Sequence, residues 1–228
     1  MLQKQKRPRR RNGKGISQKR KMNRELIHIA RASKLILTLC NCGPVYMQPK
    51  RSRFRVLQRF LYHEVLKNDP FHKPGKRHIS MSGLHPLIGY DLDPDYALSA
   101  YFNVIYTINV QASTKIVIDI PTFVPAAQLV SPHSATHCRI ITVAAALDFH
   151  RYSALIQSAQ SSLFPFSRDP VAGFSLTMPM PPPIGEPVIV LLGLSFINED
   201  LAEPGAPAYC QTVKIIHIEN ATPKIQIA

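Results

Sequence analysis

After residue 100 the chain consists mostly of short segments in which apolar and polar residues alternate, and prolines separate these segments. In residues 101–110 (YFNVIYTINV), Phe102, Val104 and Tyr106 fall on alternate positions, and in residues 115–120 (KIVIDI) the isoleucines do the same. A period of two places such side chains on one face of a strand, whereas a helix would scatter them. Further segments also fit strands: residues 87–92, 137–149, 154–159, 174–178, 188–197 and 209–218.

About eight short strands with no helix between them predict a mainly β fold. We expect an antiparallel β-sandwich, Ig-like or jelly-roll-like, with a barrel as the alternative. The uniformly apolar residues 188–196 predict a central strand that is covered on both faces. The chain has 20 prolines and 10 glycines, which fit the many turns of such a fold.

The first third of the chain has a helical pattern instead. Apolar residues recur at helical spacing from Met22 to Leu37, and Asn41 with Gly43-Pro44 predicts the end of this helix. A second helix is predicted over residues 50–67. The sandwich is therefore expected to follow an N-terminal pair of helices.

These patterns divide the chain into five segments. They are a flexible basic arm, a two-helix region, a linker rich in turn residues, the β-sandwich domain and a tail: residues 1–21, 22–67, 68–86, 87–221 and 222–228. The arm is predicted to be flexible because its polar, basic sequence cannot bury enough apolar area to offset the entropy of ordering.

Charge is distributed unevenly between the two parts of the chain. Residues 1–78 hold 22 of the 28 Lys and Arg residues and 3 of the 14 acids, a balance of +19. The remaining residues hold 6 basic and 11 acidic residues, a balance of −5. Such asymmetry indicates an anionic partner, or self-association between unlike surfaces.

Lysine and arginine can hold nucleic acid by neutralising phosphates, which provides affinity without base readout. The residues predicted to contact nucleic acid or another anion lie in the arm and on one side of the second helix: Arg7, Arg9, Arg10, Arg11, Lys19, Arg20, Lys21, Arg51, Arg55 and Arg59. No aromatic platform for stacking on bases is evident in this region. The alternative is that these cations solvate exposed helix faces or meet the acidic body.

Two local clusters resemble metal sites but fit other roles better. His133 and His137 stand four residues apart, but Pro132 and the following β pattern favour a loop that enters a strand over a helical zinc pair. Asp91, Asp93 and Asp95 lack the glycine and glutamate that a calcium loop requires, so a solvated acidic strand end is favoured.

Cysteine spacing and known motifs point away from metal and catalytic chemistry. Cys40, Cys42, Cys138 and Cys210 lack zinc-ligand spacing, so we expect buried or idle thiols in a reducing cytoplasm. Nucleotide-binding and hydrolase motifs such as GxSxG and GxGxxG are not found. We therefore predict a protein that is not an enzyme, with no cofactor and no small-molecule substrate.

Two other classes of protein fit the sequence less well. An unfamiliar hydrolase would require His137, Asp148 or His150 to converge in a pocket. A membrane protein would require a longer apolar segment, because residues 187–197 cover about half of the roughly 20 residues that a spanning helix needs. We expect no membrane span.

One stretch resembles a family of uncharacterised proteins that is widespread in Bacteroidetes bacteria. The stretch is IPTFVPAAQLVSPHSATHCRIITVAAALDF (residues 120–149), and PVIVLLGLSFINE and YCQTVKIIHIE (187–199 and 209–219) continue the pattern. Residues 73–93 and the helix at 23–36 extend it upstream, with Asn23, Glu25, Ala30, Ala32, Lys34 and Leu35 at matching places. Only His137 of the histidine pair lies on a motif position. The resemblance implies organisation and lineage, but no activity and no role for the basic leader.

The leading functional hypothesis is a non-enzymatic structural or protein-interaction protein with a basic N-terminal region. Its partner would be a protein, either a second copy of this chain or a different protein. The alternative is a sequence-nonspecific nucleic-acid-binding or coat-like packaging protein that uses the basic arm.

Overall fold

The computed structural model describes residues 13–42, 45, 47, 50–79, 83–111, 114–131, 135–182, 187–198 and 210–219, with only the backbone of residues 13–22 and 210–211. In these residues the chain folds into three layers: helices, a five-stranded sheet and a three-stranded sheet. The prediction of a mainly β fold with two antiparallel sheets and an N-terminal helical pair is confirmed.

Two long helices form the first layer. Helix α1 spans Gly13–Thr38 and continues into a 3₁₀ turn at Leu39–Asn41, and α2 spans Arg51–Phe60 and continues into a π-helical turn at Leu61–Leu66. Helix α1 starts well before Met22, so part of the segment assigned to a flexible arm is helical. A 3₁₀ turn at His85–Leu87 and two single-turn helices, α3 at Leu98–Tyr101 and α4 at Pro125–Gln128, lie in later connections.

All strand pairs in both sheets are antiparallel. The strands are β1 Thr107–Gln111, β2 Lys115–Ile120, β3 His137–Asp148, β4 Ser153–Gln160, β5 Phe164–Pro165, β6 Phe174–Pro179, β7 Val188–Ile197 and β8 Cys210–Glu219. The smaller sheet has the order β1-β2-β6. The larger has the order β4-β3-β7-β8, and β5 also pairs with β3.

The five-stranded sheet is the middle layer, and each of its faces is covered. In β3, Ile141 and Val143 pack with the helices, whereas Ile140 and Ala144 pack against the three-stranded sheet. Strand β7 alternates in the same way and is buried through Phe196, as its uniformly apolar sequence predicted. A strand with both faces covered is apolar at nearly every position, and the one polar residue of β7, Ser195, is buried as well.

The segment predicted to be a linker is packed into the fold. Ile79 and Leu84 are buried in the same core as the helices. Beyond them, the predicted strand at residues 87–92 forms turns that bond to the outer edge of β8: Gly89 N–H donates to Ile215 O, and Leu92 N–H donates to Val213 O. This contact covers an edge that would otherwise be open to another chain.

Strand β1 is shorter than its sequence pattern predicted. The predicted strand started at residue 101, but α3 ends at Tyr101 and the ladder with β2 begins only at Thr107. The alternation still decides burial, because Phe102 and Val104 are buried and Ile105 is 82% exposed. Within the described part of the chain, no helix is both long enough and apolar enough to cross a membrane.

Candidate nucleic-acid interface

Helix α2 exposes the arginine stripe that the sequence predicted. Arg51, Arg55 and Arg59 are all exposed, while Leu57 and Leu61 face the core. A step of four residues keeps the arginines on one side of the helix, about 6 Å apart along its axis. No described carboxylate lies within ion-pairing distance of these three side chains.

Helix α1 adds three exposed cations to the same layer: Arg24, Arg31 and Lys34. Lys34 lines a cleft of about 280 Å³ together with Arg51, and it also lines a second cleft beside β4 together with Arg31. Lys34 therefore lies near Arg51 of α2 as well as near Arg31 of its own helix. We call the exposed set Arg24, Arg31, Lys34, Arg51, Arg55 and Arg59 the basic face.

The acids of the helical region do little to neutralise the basic face. Glu25, Glu64 and Asp69 are the acids before residue 79, and two of them are buried: Glu25 is 4% exposed and Asp69 is 9% exposed. The Glu25 carboxylate accepts hydrogen bonds from Gly75 N–H and Arg77 Nε–H. Asp69 accepts hydrogen bonds from the backbone N–H groups of the loop that follows it. Only Glu64 is exposed.

Part of the predicted contact set cannot be placed on this surface. Arg7, Arg9, Arg10 and Arg11 lie outside the described residues. Lys19, Arg20 and Lys21 lie within α1, where only the backbone is described. The contribution of these residues to anion contact stays a prediction.

Next to the basic face lies a group of histidines that the sequence analysis missed. The rings of His28, His72 and His150 each lie about 6 Å from the ring of His78, with centroid distances of 5.6, 5.6 and 6.1 Å. His28 comes from α1, His150 from the turn after β3, and the other two from the loop after α2. No sequence spacing signals this group, because tertiary folding assembles it.

His28 is held as a neutral ring. Its Nε2 accepts a hydrogen bond from Ile79 N–H at 3.2 Å, so the proton sits on Nδ1, which donates to the Tyr152 hydroxyl at 2.8 Å. Burial, aided by the nearby His78 and His150, lowers the pKa of His28 from 6.5 to about 4. Among the described residues, no three His, Cys, Asp or Glu side chains are arranged to hold a metal ion.

The residues considered for hydrolase chemistry do not converge. His137 begins β3 and Asp148 ends it, so they lie at opposite ends of a 12-residue strand, about 35 Å apart. Asp148 accepts hydrogen bonds from the backbone N–H of His150 and of Arg151, and these bonds form the turn to β4. His133 lies outside the described residues.

The structure corrects the interpretation of the acidic cluster. Asp93 was expected to be solvated, but it is fully buried and pairs with the Arg53 guanidinium of α2. Asp91 lies 3.4 Å from Lys214 Nζ and accepts a hydrogen bond from Leu98 N–H, while Asp95 is 65% exposed. Pairing with a buried arginine, which the sequence pattern cannot reveal, keeps Asp93 inside the fold.

The cysteines of the described chain are free thiols. Cys40 and Cys138 are buried and Cys42 is half-buried. Burial raises the pKa of the Cys40 thiol to about 12, so this thiol is protonated and unreactive at neutral pH. The side chain of Cys210 is not among those described.

Comparisons with protein-family models, curated proteins and solved structures find no match to this chain. The family resemblance inferred from residues 120–149 therefore stays a prediction.

Proposed function

We propose that this chain is a non-enzymatic binding protein that holds nucleic acid through the phosphates, with the basic face as the contact surface. The observation that carries this proposal is the charge imbalance of the helical layer. Six cations of the basic face are exposed, whereas Glu64 is the one exposed acid among the described residues before residue 80. A polyanion that covers this face would release its condensed counterions and gain affinity without any base readout.

The spacing of the arginines fits a phosphate backbone. Arg51, Arg55 and Arg59 are about 6 Å apart along the α2 axis. Phosphates of one strand of B-DNA are about 3.4 Å apart along the duplex axis. A step of about 6 Å therefore spans roughly two phosphates along that axis, so the arginines are close enough together to contact several phosphates of one site.

The test compares two double variants of the full chain that each lose two exposed cations. Arg55→Gln/Arg59→Gln removes cations from the basic face, and Lys115→Gln/Arg168→Gln removes cations from the β layers. Binding of labelled duplex DNA and of single-stranded RNA is followed by fluorescence anisotropy between about 0.05 and 0.3 M salt. We expect the first variant to reduce the slope of log affinity against log salt by about 0.9 for each lost phosphate contact on the duplex.

The control variant should bind like the unmodified chain. The proposal fails if the full chain shows no binding at about 0.1 M salt. It also fails if both double variants weaken binding equally, because the contact would then not be localised on the helical layer.

A second candidate function is self-association, in which the acidic body of one copy covers the basic face of another. Its support is the opposite charge of the two parts of the chain, +19 for residues 1–78 and −5 for the remainder. Light scattering without nucleic acid should then show dimers or larger species at low salt that dissociate at high salt. A monomer at every salt concentration contradicts this candidate.

We also propose a cytoplasmic location. The free thiols of Cys40, Cys42 and Cys138 fit a reducing compartment, and nucleic acid is available there.

A further inference from the structure

A cleft of about 440 Å³ opens at one end of the basic face, between α1 and the loop that follows α2. Its size falls within the range of about 300–1,000 Å³ that is typical of small-ligand sites. Polar side chains that line the cleft include Arg24, His72, Lys76, Arg77, His78 and Tyr152.

The cleft carries net positive charge before any histidine is protonated. Arg24, Lys76 and Arg77 are the cations that line it, and Glu25 is the only acid in its lining. The Glu25 side chain is 4% exposed, and its carboxylate already accepts hydrogen bonds from Gly75 N–H and Arg77 Nε–H. Among the lining residues, one carboxylate against three cations leaves a balance of +2. The Asp69 carboxylate beneath the loop lowers this balance to about +1, which still favours an anion.

The loop after α2 forms one wall of the cleft, and hydrogen bonds hold this loop in place. Asp69 accepts hydrogen bonds from the backbone N–H groups of Phe71, His72 and His78, at 2.8, 3.2 and 3.3 Å. Its second oxygen lies 2.9 Å from His72 Nδ1. Gly75 adopts a φ of 91°, a conformation suited to glycine, and this turn brings its N–H to Glu25. Because these hydrogen bonds already fix the loop, its cations can bind a ligand without a further cost of ordering the loop.

Tyr152, in the turn between β3 and β4, supplies a directed hydrogen-bond donor. Its hydroxyl oxygen accepts the Nδ1–H of His28, because Nε2 of that ring is occupied by Ile79 N–H. The proton of the Tyr152 hydroxyl is therefore available to an acceptor in the cleft. Tyr152 has a φ of 56°, which is costly for a bulky side chain and tends to be kept at functional sites.

We propose that this cleft binds a phosphate monoester, with Arg24, Lys76 and Arg77 neutralising its charge and the Tyr152 hydroxyl donating to a phosphate oxygen. The monoester could be the terminal phosphate of a nucleic acid or the phosphate of a small molecule. Both share a dianionic group with three terminal oxygens. The site does not depend on the proposed nucleic-acid function, since either source would fill it.

The experiment uses the full chain and isothermal titration with inorganic phosphate. Two substitutions probe the cleft, Lys76→Gln and Tyr152→Phe, and each has a matched control outside the lining: Lys73→Gln in the same loop, and Tyr62→Phe on the π-helical turn after α2. We expect each cleft variant to weaken phosphate binding about tenfold or more, as loss of one charge-assisted hydrogen bond does. The controls should stay within about twofold. Circular dichroism establishes that all four variants are folded.

The two sources of the phosphate are separated by a pair of short oligonucleotides that differ only in a 5′-phosphate. A preference for the phosphorylated form that Lys76→Gln abolishes supports a nucleic-acid terminus. Saturable binding of inorganic phosphate without that preference supports a small-molecule phosphate. Absence of saturable phosphate binding up to about 10 mM overturns the site, as does equal weakening by cleft and control variants. Neither result bears on the salt slope of Arg55→Gln/Arg59→Gln, so the two proposals can fail separately.

Discussion

The buried ion pair between Arg53 and Asp93 is expected to anchor α2 to the segment that covers the edge of β8. Asp93 is fully buried and the Arg53 side chain is 9% exposed, so this ion pair lies inside the fold. Asp93 Oδ1 also accepts a hydrogen bond from Asp95 N–H at 3.1 Å. The substitution Asp93→Asn keeps the shape and this acceptor but removes the charge.

Asp93→Asn leaves the Arg53 guanidinium buried without its carboxylate, which typically costs about 3–5 kcal/mol. Domains of this kind are stable by about 5–15 kcal/mol, so the loss is a large share of the total. At about 2–4 °C per kcal/mol for a chain of this length, the melting temperature should fall by about 6–20 °C. Urea unfolding followed by circular dichroism measures the free energy of unfolding directly.

Two further variants sharpen this test. Adding Arg53→Met to Asp93→Asn also removes the buried guanidinium, so the double variant should be more stable than Asp93→Asn alone. Lys50 Nζ lies 3.6 Å from Asp93 but its side chain is 37% exposed, and Lys50→Gln should cost less than about 1 kcal/mol. The pair is not an anchor if Asp93→Asn changes the free energy of unfolding by less than about 1 kcal/mol. The same follows if the double variant is no more stable than Asp93→Asn alone.

Three other predictions concern Gly193 in the core, the neutral ring of His28 and the loop held by Asp69. A Cβ at Gly193 would lie 2.4 Å from Thr212 O on the paired strand. Gly193→Ala should therefore lower the free energy of unfolding by about 3 kcal/mol or more, measured by thermal unfolding. The control Ser158→Ala, on the exposed side of β4, should lower it by about 0.5 kcal/mol or less. Because the pKa of His28 falls from 6.5 to about 4 on folding, the unfolded chain binds this proton first, and stability should decline as pH drops from about 6.5 to about 4. His28→Gln should flatten that decline in urea titrations, and an unchanged pH slope would refute the assignment. Asp69→Ala removes the acceptor of the loop amides, so hydrogen exchange at residues 71, 72 and 78 should accelerate while β3 and β7 stay protected; uniform acceleration would contradict a local role.

The elements whose sequence pattern is strong agree with the structure. Strand β2 has the predicted bounds, Lys115–Ile120, with its three isoleucines buried. Strand β7 is apolar apart from Ser195 and is covered on both faces, as predicted. On α2, the step of four that placed Arg51, Arg55 and Arg59 together in the sequence places them together on the surface. In each case the signal is local, since periodicity follows from backbone geometry alone.

Expectations about the burial of single residues were less accurate, because burial depends on the tertiary contacts that a residue makes. In the sequence, Asp93 looks like one member of an exposed acidic cluster. In the fold, α2 brings Arg53 against it. Residues 79 and 84 read as part of a turn-rich linker, yet both side chains enter the core shared by the helices and the larger sheet. Burial of such residues depends on partners that are distant in the sequence, so composition alone misplaces them.

The mainly β class, the helical start and the basic imbalance follow from the amino-acid sequence alone, because strand and helix periods depend on neighbouring residues and net charge depends on composition. Long-range packing sets which surface carries that charge and where a ligand could enter. His28 and Tyr152 are 124 positions apart, and only the packing of α1 beside the turn between β3 and β4 joins them by a hydrogen bond. The cleft arises from this long-range contact together with the loop folded around Asp69, and no local pattern encodes such a contact.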